Sequence, residues 1–104
     1  MERPIPMRIF NSDKILSAVP ERSITEHILQ HAETLSGKTA FVEGSSGRAV
    51  TYGELADKIR SLAGGLHARG VGPGTTWALM APNIPEYAIV FHGLAYCGAT
   101  VTTL

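Results

Sequence analysis

Residues 75–104, TTWALMAPNIPEYAIVFHGLAYCGATVTTL, decide the fold. Thr75 to Met80 is a short β-branched, aromatic and aliphatic run closed by Ala81-Pro82, and it reads as a buried strand. The helix expected next, over about residues 84–97, is apolar nearly all round: Ile84, Tyr87, Ala88, Ile89, Val90, Phe91, Leu94 and Ala95. No Asp, Glu, Lys or Arg follows Glu86. Thr100 to Leu104 is a second strand-like run. Strand, helix, strand at this spacing is a βαβ unit, whose strands should run parallel through a right-handed crossover. Parallel strands are normally covered on both faces and belong to larger sheets. A helix apolar on every side needs protein on every side. The fold class is therefore α/β, and the pattern is that of the opening of a larger α/β domain.

Upstream, the helix starts announce themselves. Ser23-Ile24-Thr25-Glu26 is a capping box, in which the hydroxyl accepts from the amide three residues on and the Glu reaches back. Thr51-Tyr52-Gly53-Glu54 is a second, with Val50 and Leu55 at the positions of a hydrophobic staple. Asn83-Ile84-Pro85-Glu86 is a looser third, proline being tolerated in a first turn. The first helix should cover about 24–35, with Ile24, Ile28, Ala32 and Leu35 along one face and Gly37 as its stop. Thr39–Val42 and Arg48–Val50 read as a hairpin around Gly44-Ser45-Ser46-Gly47. The second helix, about 52–69, spaces Leu55, Ile59, Leu62 and Leu66 at steps of four, three and four, with Glu54 and Asp57 early and His67 and Arg69 late, as the macrodipole favours. Gly64 and Gly65 inside it suggest close approach by a neighbouring element. Gly70 to Gly74 make a tight connection to the strand at 75. Residues 1–22 show no periodicity and hold Pro4, Pro6 and Pro20, so they form an arm against a surface or a loose tail. The division is then an arm, 1–22, and an incomplete domain, 23–104.

Composition closes several other routes. The chain has 104 residues, 44% of them hydrophobic, and nine basic side chains balance nine acidic ones. An even charge balance gives no electrostatic footprint for nucleic acid or an anionic membrane, and the apolar fraction is too high for a disordered chain. A lone cysteine, Cys97, excludes a disulfide-stapled secreted domain. The charged N-terminus lacks a signal-peptide pattern, which points to the cytoplasm. Tyr87 to Leu104 is an uncharged run of eighteen residues, the lower limit for a bilayer span. It contains His92, two glycines and three threonines, and reads as buried core with no membrane span.

Two segments resemble a known family. Thr51-Tyr52-Gly53-Glu54-Leu55 resembles the Thr/Ser-Tyr-x-Glu-Leu motif near the start of adenylate-forming (AMP-binding) enzymes, and Ala63–Leu66 through Gly70–Gly74 looks like the helix and turn that follow it there. Pro82–Tyr87 and Gly93–Ala99 resemble the next helix of that superfamily. The style of Met80–Asn83 and Gly98–Thr102 is closest to acid–CoA ligases, 4-coumarate–CoA ligases and fatty-acid ligases among them. Thr75 departs from the aspartate usual there. The resemblance covers about 23–104 and implies the start of the large N-terminal domain. It implies, for a full-length parent, attack of a carboxylate on ATP, an acyl-adenylate, and transfer to coenzyme A, with Mg²⁺ and a lysine neutralising phosphate charge. It also implies that the phosphate loop, the aromatic-Gly-x-Thr-Glu segment, the ribose-binding aspartate and the C-terminal lysine lie beyond Leu104. The segment alone is then expected to be catalytically silent, its partner being the rest of the AMP-binding domain. Peptide-synthetase adenylation domains and luciferase-like enzymes share the pattern. A naturally short binding or assembly module, using helix 84–97 as an interface, is the non-enzymatic alternative.

No residue is assigned a catalytic, cofactor-binding or metal role, and each look-alike has a plainer reading. Gly44–Arg48 lacks a lysine and a following helix, so it is a hairpin turn rather than a phosphate cradle. Gly70–Gly74 follows a helix and precedes a strand, the reverse of a dinucleotide fingerprint. Thr25-Glu26 is explained by capping. His27 and His31 stand four apart without a metalloprotease glutamate between them, and read as a solvated helix face. Cys97, without basic neighbours in sequence, reads as an inert buried thiol. Trp77 and Tyr87 read as core, and His92 as a satisfied core or interface histidine, with a tunnel-lining role only by analogy.

Overall fold

The computed structural model describes residues 3–104. Its elements run α1 (Ile24–Leu29), β1 (Thr39–Val42), β2 (Ala49–Thr51), α2 (Tyr52–Ala68), β3 (Thr76–Leu79), α3 (Pro85–Tyr96) and β4 (Thr100–Thr103). β1 and β2 form the antiparallel hairpin, with a bulge between Thr39 and Phe41. β3 and β4 pair in parallel, Thr76 opposite Thr100 and Leu79 opposite Thr103. The βαβ unit read from residues 75–104 is present.

α2 is fixed at both ends. The Thr51 side chain accepts from the Glu54 amide and the Glu54 carboxylate accepts from the Thr51 amide, a complete capping box. Val50 and Leu55 flank it, each buried in the core. At the other end the Gly70 amide donates to His67 and the Val71 amide to Leu66, with Gly70 at φ +88°. α3 ends in the same way: Gly98, at φ +81°, donates to Ala95, and Ala99 donates to Leu94. Both are Schellman closures, in which a left-handed glycine turns the chain back on the last carbonyls. Helix and strand can then follow each other within a few residues.

α2 and α3 form the central packing. Leu55, Ala56, Ile59 and Ala63 of α2 and Ile89 and Leu94 of α3 are buried, and Ile59 is completely so. Leu29, Ala32 and Val50 complete the main cluster. The close approach lies at Gly93 rather than at Gly64 and Gly65. A Cβ at Gly93 would stand 2.9 Å from Leu62 Cδ2, whereas one at Gly64 or Gly65 would meet nothing within 4 Å. The two adjacent glycines are exposed and lie away from the Leu55–Ile59–Ala63 stripe that α3 covers.

Four other expectations are corrected. α1 stops at Leu29, and the chain continues in turns. The Tyr52 amide donates to Lys38 and the Gly53 amide to Ser36, which bends residues after Leu29 down onto the start of α2. The inward side of this segment is Thr25 and Leu29 on α1 and Ala32 in the turns after it, while Ile24, Ile28 and Leu35 are exposed. Thr25 turns inward because its hydroxyl has a partner there, His92. At α3 the N-cap is Ile84, with Pro85 opening the helix and no side-chain cap, so Asn83 does not act as a capping residue. Trp77 is 44% exposed, not core. It alternates onto the face of buried Leu79, but a sheet of two strands is too narrow to enclose an indole. α3 itself is mostly half-buried.

Residues 3–22 contain no helix or strand and are exposed throughout. They extend the molecule to 64 Å along its longest axis and raise the radius of gyration to 19.0 Å, against about 13 Å for a compact chain of this length.

Candidate functional site

Three local arrangements bring chemistry-bearing side chains together. The first joins the hairpin to α3. The Glu43 carboxylate, at the end of β1, accepts from the Ser46 hydroxyl at 2.6 Å and from Arg48 Nε at 3.2 Å. The other end of the Arg48 guanidinium grips Glu86, at the start of α3, with Nη1 to Oε1 at 2.5 Å and Nη2 to Oε2 at 2.7 Å. This two-point geometry is the strong form of the pair. The Arg48 hydrogen bonds hold the Glu86 carboxyl down to about 2, and the bonds from Ser46 and Arg48 hold Glu43 below the usual carboxylate range. Glu86, ahead of every other influence, raises the Arg48 pKa. A shallow groove of about 280 Å³ opens beside this clasp, between Phe41 and Val42 of β1 on one side and, on the other, Ile84 with Tyr87 and Ala88 of α3. Tyr87, expected in the core, is a half-buried wall of that groove because the hairpin covers only part of α3.

The second arrangement joins α1 to α3. Thr25, with no exposed surface, has its Oγ1 2.9 Å from His92 Nδ1, and the Phe91 ring stands edge-on to the imidazole at 5.2 Å. Burial pushes the His92 pKa down. His92 is thus a partnered, half-buried histidine where α1 meets α3, the interface form of the sequence reading.

Cys97 is the third. Its thiol donates to the Ala63 carbonyl at 3.3 Å and is half-buried. Arg60 and His67 of α2 line the same cavity of about 590 Å³, with Tyr96 beside them. The expectation of a buried thiol is corrected to a half-buried one; no basic residue stands near it in sequence, and the Arg60 and His67 that line its cavity come from a helix some thirty residues earlier. The thiol spends its proton on a backbone carbonyl, an arrangement that does not generate a nucleophile.

The remaining look-alikes fall where their local patterns put them. Gly44–Gly47 is the hairpin turn, and Glu43 at its base already uses the Ser46 hydroxyl. An acidic base with occupied donors does not suit a nucleotide phosphate. Gly70–Gly74 joins α2 to β3, and the Thr75 hydroxyl closes it by donating to the Gly72 carbonyl at 2.6 Å. The departure from aspartate at Thr75 therefore keeps a turn-closing side chain. The Ser23 hydroxyl caps α1 through the Glu26 amide. His27 lies on α1 and bonds Gln30 at 3.5 Å, while His31 lies past the helix end. Among the described residues no three metal-ligating side chains gather, and no helix is long and apolar enough to cross a membrane. Sequence reading missed the Arg48 clasp and the Thr25–His92 pair, which join residues 38 and 67 positions apart. No local signal marks contacts of that range.

The fold is that of an N-terminal subdomain of adenylate-forming enzymes. The sequence pattern of the family described as AMP-binding enzyme matches residues 28–104. The chain belongs to the AMP-binding enzyme family. It is 38% identical over 68 residues to 4-coumarate–CoA ligase 4 of Arabidopsis thaliana, covering 65% of this chain and 12% of that protein. It is 30% identical over 105 residues to probable 4-coumarate–CoA ligase 2 of Dictyostelium discoideum, covering 100% of this chain and 19% of that one. The structure superposes on the luciferase-like enzyme of the nonluminescent mealworm Zophobas morio with a TM-score of 0.83. That match covers 94% of this chain and 24% of the mealworm protein, at 18% identity. The chain thus spans about an eighth to a fifth of the length of these curated relatives.

Proposed function

We propose that residues 1–104 form the N-terminal part of an ATP-dependent acid–CoA ligase. The complete enzyme would join a carboxylic acid to AMP and pass the acyl group to the thiol of coenzyme A, using Mg²⁺ with ATP, in the cytoplasm. In this reading residues 1–22 are an arm and residues 23–104 an incomplete AMP-binding portion without catalytic, cofactor-binding or metal-binding residues of its own. The observation that carries it is the 4-coumarate–CoA ligase likeness, which at 38% identity spans only 12% of the relative. The arrangement of side chains supports a scaffolding role. The Arg48 clasp and the Thr25–His92 pair lock elements together, and the Cys97 thiol is bonded to backbone.

The test is ATP–pyrophosphate exchange with a panel of carboxylic acids, run on the 104-residue chain and on the complete protein, each with and without coenzyme A. Exchange and thioester formation by the complete protein alone is the expected result. Exchange without thioester would favour an adenylation domain that serves another acceptor or a luciferase-like enzyme. Exchange by the short chain would sink the proposal that it lacks the working residues. The half-exposed apolar surface of α3 also fits a non-enzymatic assembly module. A defined complex formed by a complete protein inactive in both assays would favour that reading.

A further inference from the structure

At the tip of the hairpin a single hydroxyl touches both hairpin members of the Arg48 clasp. Gly44, Ser45, Ser46 and Gly47 join β1 to β2, and all four are exposed. A Cβ at Gly44 or Gly47 would meet nothing within 4 Å, so the turn stands in open space on both flanks. The hydrogen bonds of the turn's side chains run through Ser46. Its hydroxyl donates to Glu43 Oε2 at 2.6 Å and accepts from the Arg48 amide at 3.2 Å. The same Glu43 oxygen receives Arg48 Nε at 3.2 Å, and the far side of that guanidinium holds Glu86 of α3. The Ser46 proton thus helps to satisfy Glu43 while Arg48 spends two of its nitrogens on Glu86.

We propose that Ser46 is a phosphorylation site, and that a phosphoryl group there draws Arg48 away from Glu86 and frees the hairpin from α3. The donor is a nucleoside triphosphate used by a serine kinase. Ser46 Oγ forms a bond to the γ-phosphorus, the bond from that phosphorus to the β–γ bridging oxygen breaks, and the nucleoside diphosphate leaves with the electron pair. The hydroxyl proton passes to a base of the kinase. Glu43 then loses its donor and faces a group of about two negative charges. The Arg48 amide already points at Ser46 Oγ, so the phosphoryl oxygens lie within reach of the Arg48 backbone and guanidinium. Arginine grips phosphate in the same two-point manner as carboxylate. The phosphoryl group is tethered two residues from Arg48, whereas Glu86 comes from an element 38 positions away. Exposed ion pairs are held weakly, so the doubly charged neighbour wins the guanidinium. The groove between Phe41 and Val42 and Ile84, Tyr87 and Ala88 then widens. A free phosphate does not gather here against two carboxylates; one bonded to Ser46 cannot leave. The proposal rests on the hairpin alone and stands whatever reaction the complete protein performs.

Two measurements test it. Trypsin cuts after Lys38 and Arg48, so residues 39–48 leave the complete protein as one peptide carrying both turn serines. In protein recovered from its own cells through growth and starvation, fragmentation of that peptide should place a phosphoryl group on Ser46. A peptide unmodified throughout, or modified on Ser45 alone, overturns the site. The release of α3 is read on the chain made with phosphoserine in place of Ser46. Glu86, held at about 2 by Arg48, should then titrate by carboxyl-carbon NMR at the ordinary glutamate value, about 4.3. Ser46→Ala should leave Glu86 near its present value. An unmoved Glu86 in the phosphorylated chain overturns the release. So does an equal rise in Ser46→Ala, which would assign the effect to the lost hydroxyl. Both changes lie on an exposed turn, and unchanged amide signals from α2 and α3 verify that the fold is kept.

Discussion

Single residues set how the helices meet and stop. Thr25 has no exposed surface and its hydroxyl serves His92 across 67 positions of sequence. Thr25→Val keeps the shape but removes the hydroxyl partner of the half-buried imidazole, and should cost about 1 kcal/mol, the net worth of an ordinary hydrogen bond. Urea unfolding of the two proteins measures it. The His92 pKa is lowered by burial in the folded chain, so between that value and the unfolded value, about 6.5, the unfolded chain binds the extra proton. The contribution is therefore whole above about pH 6.5 and is lost as pH falls below it. The thermal midpoint should drop from pH 7.5 to pH 5.5, and His92→Phe should flatten that part of the profile. Gly98 is the second such residue. A side chain there meets both the left-handed backbone, φ +81°, and Pro73 Cγ at 3.2 Å. Gly98→Ala should destabilise by about 1–2 kcal/mol, seen as a lower urea midpoint with an unchanged slope.

Elements, by contrast, declare themselves through short-range chemistry. Thr51→Ala removes the acceptor of the Glu54 amide and should cost about 1 kcal/mol, with loss of helix signal at the start of α2 detectable by exchange of the Glu54 amide. The boundaries of β1, α2, β3, α3 and β4 were legible to within a residue or two because caps, Schellman glycines and β-branched runs act over six residues or fewer. What stayed hidden depends on distant partners. The helix expected over 24–35 is right only as far as Leu29 and wrong in face, since the apolar stripe Ile24–Ile28–Leu35 loses to a polar residue whose partner sits on α3. Gly64-Gly65 signalled an approach that Gly93 makes instead. At the glycine-rich look-alikes the flanking elements were legible: Gly44–Gly47 is the turn of a hairpin and Gly70–Gly74 joins a helix to a strand. The carbonyl partner of Cys97, and the Arg60 and His67 that line its cavity, stayed hidden because α2 supplies them. The Arg48 clasp is exposed, so solvent screens it. Arg48→Gln should loosen the hairpin from α3 most at low ionic strength, with the difference in exchange at Val42 shrinking in salt.

The whole molecule has a narrow core and wide apolar margins. The main enclosed cluster lies along the α2–α3 seam and the residues beside it, while Trp77 and Met80 stand exposed around the β3–β4 pair. An apolar sheet margin with open backbone donors is a pairing hazard. The short chain should self-associate with rising concentration in sedimentation, and Trp77→Lys with Met80→Lys should suppress this. Persistence of the same association would place it elsewhere. The parallel register of β3 and β4 also has a meaning in time. A hairpin strand finds its partner as soon as the turn is made, and β1 and β2 do so. β3 leaves the ribosome with no local partner and must wait until α3 and then β4 have been synthesised. During that interval its edge and the apolar face of the growing helix are both bare. Translation speed across Ala81–Thr103 should therefore govern the yield of soluble protein more than speed anywhere upstream, a dependence that synonymous recoding of that stretch would expose.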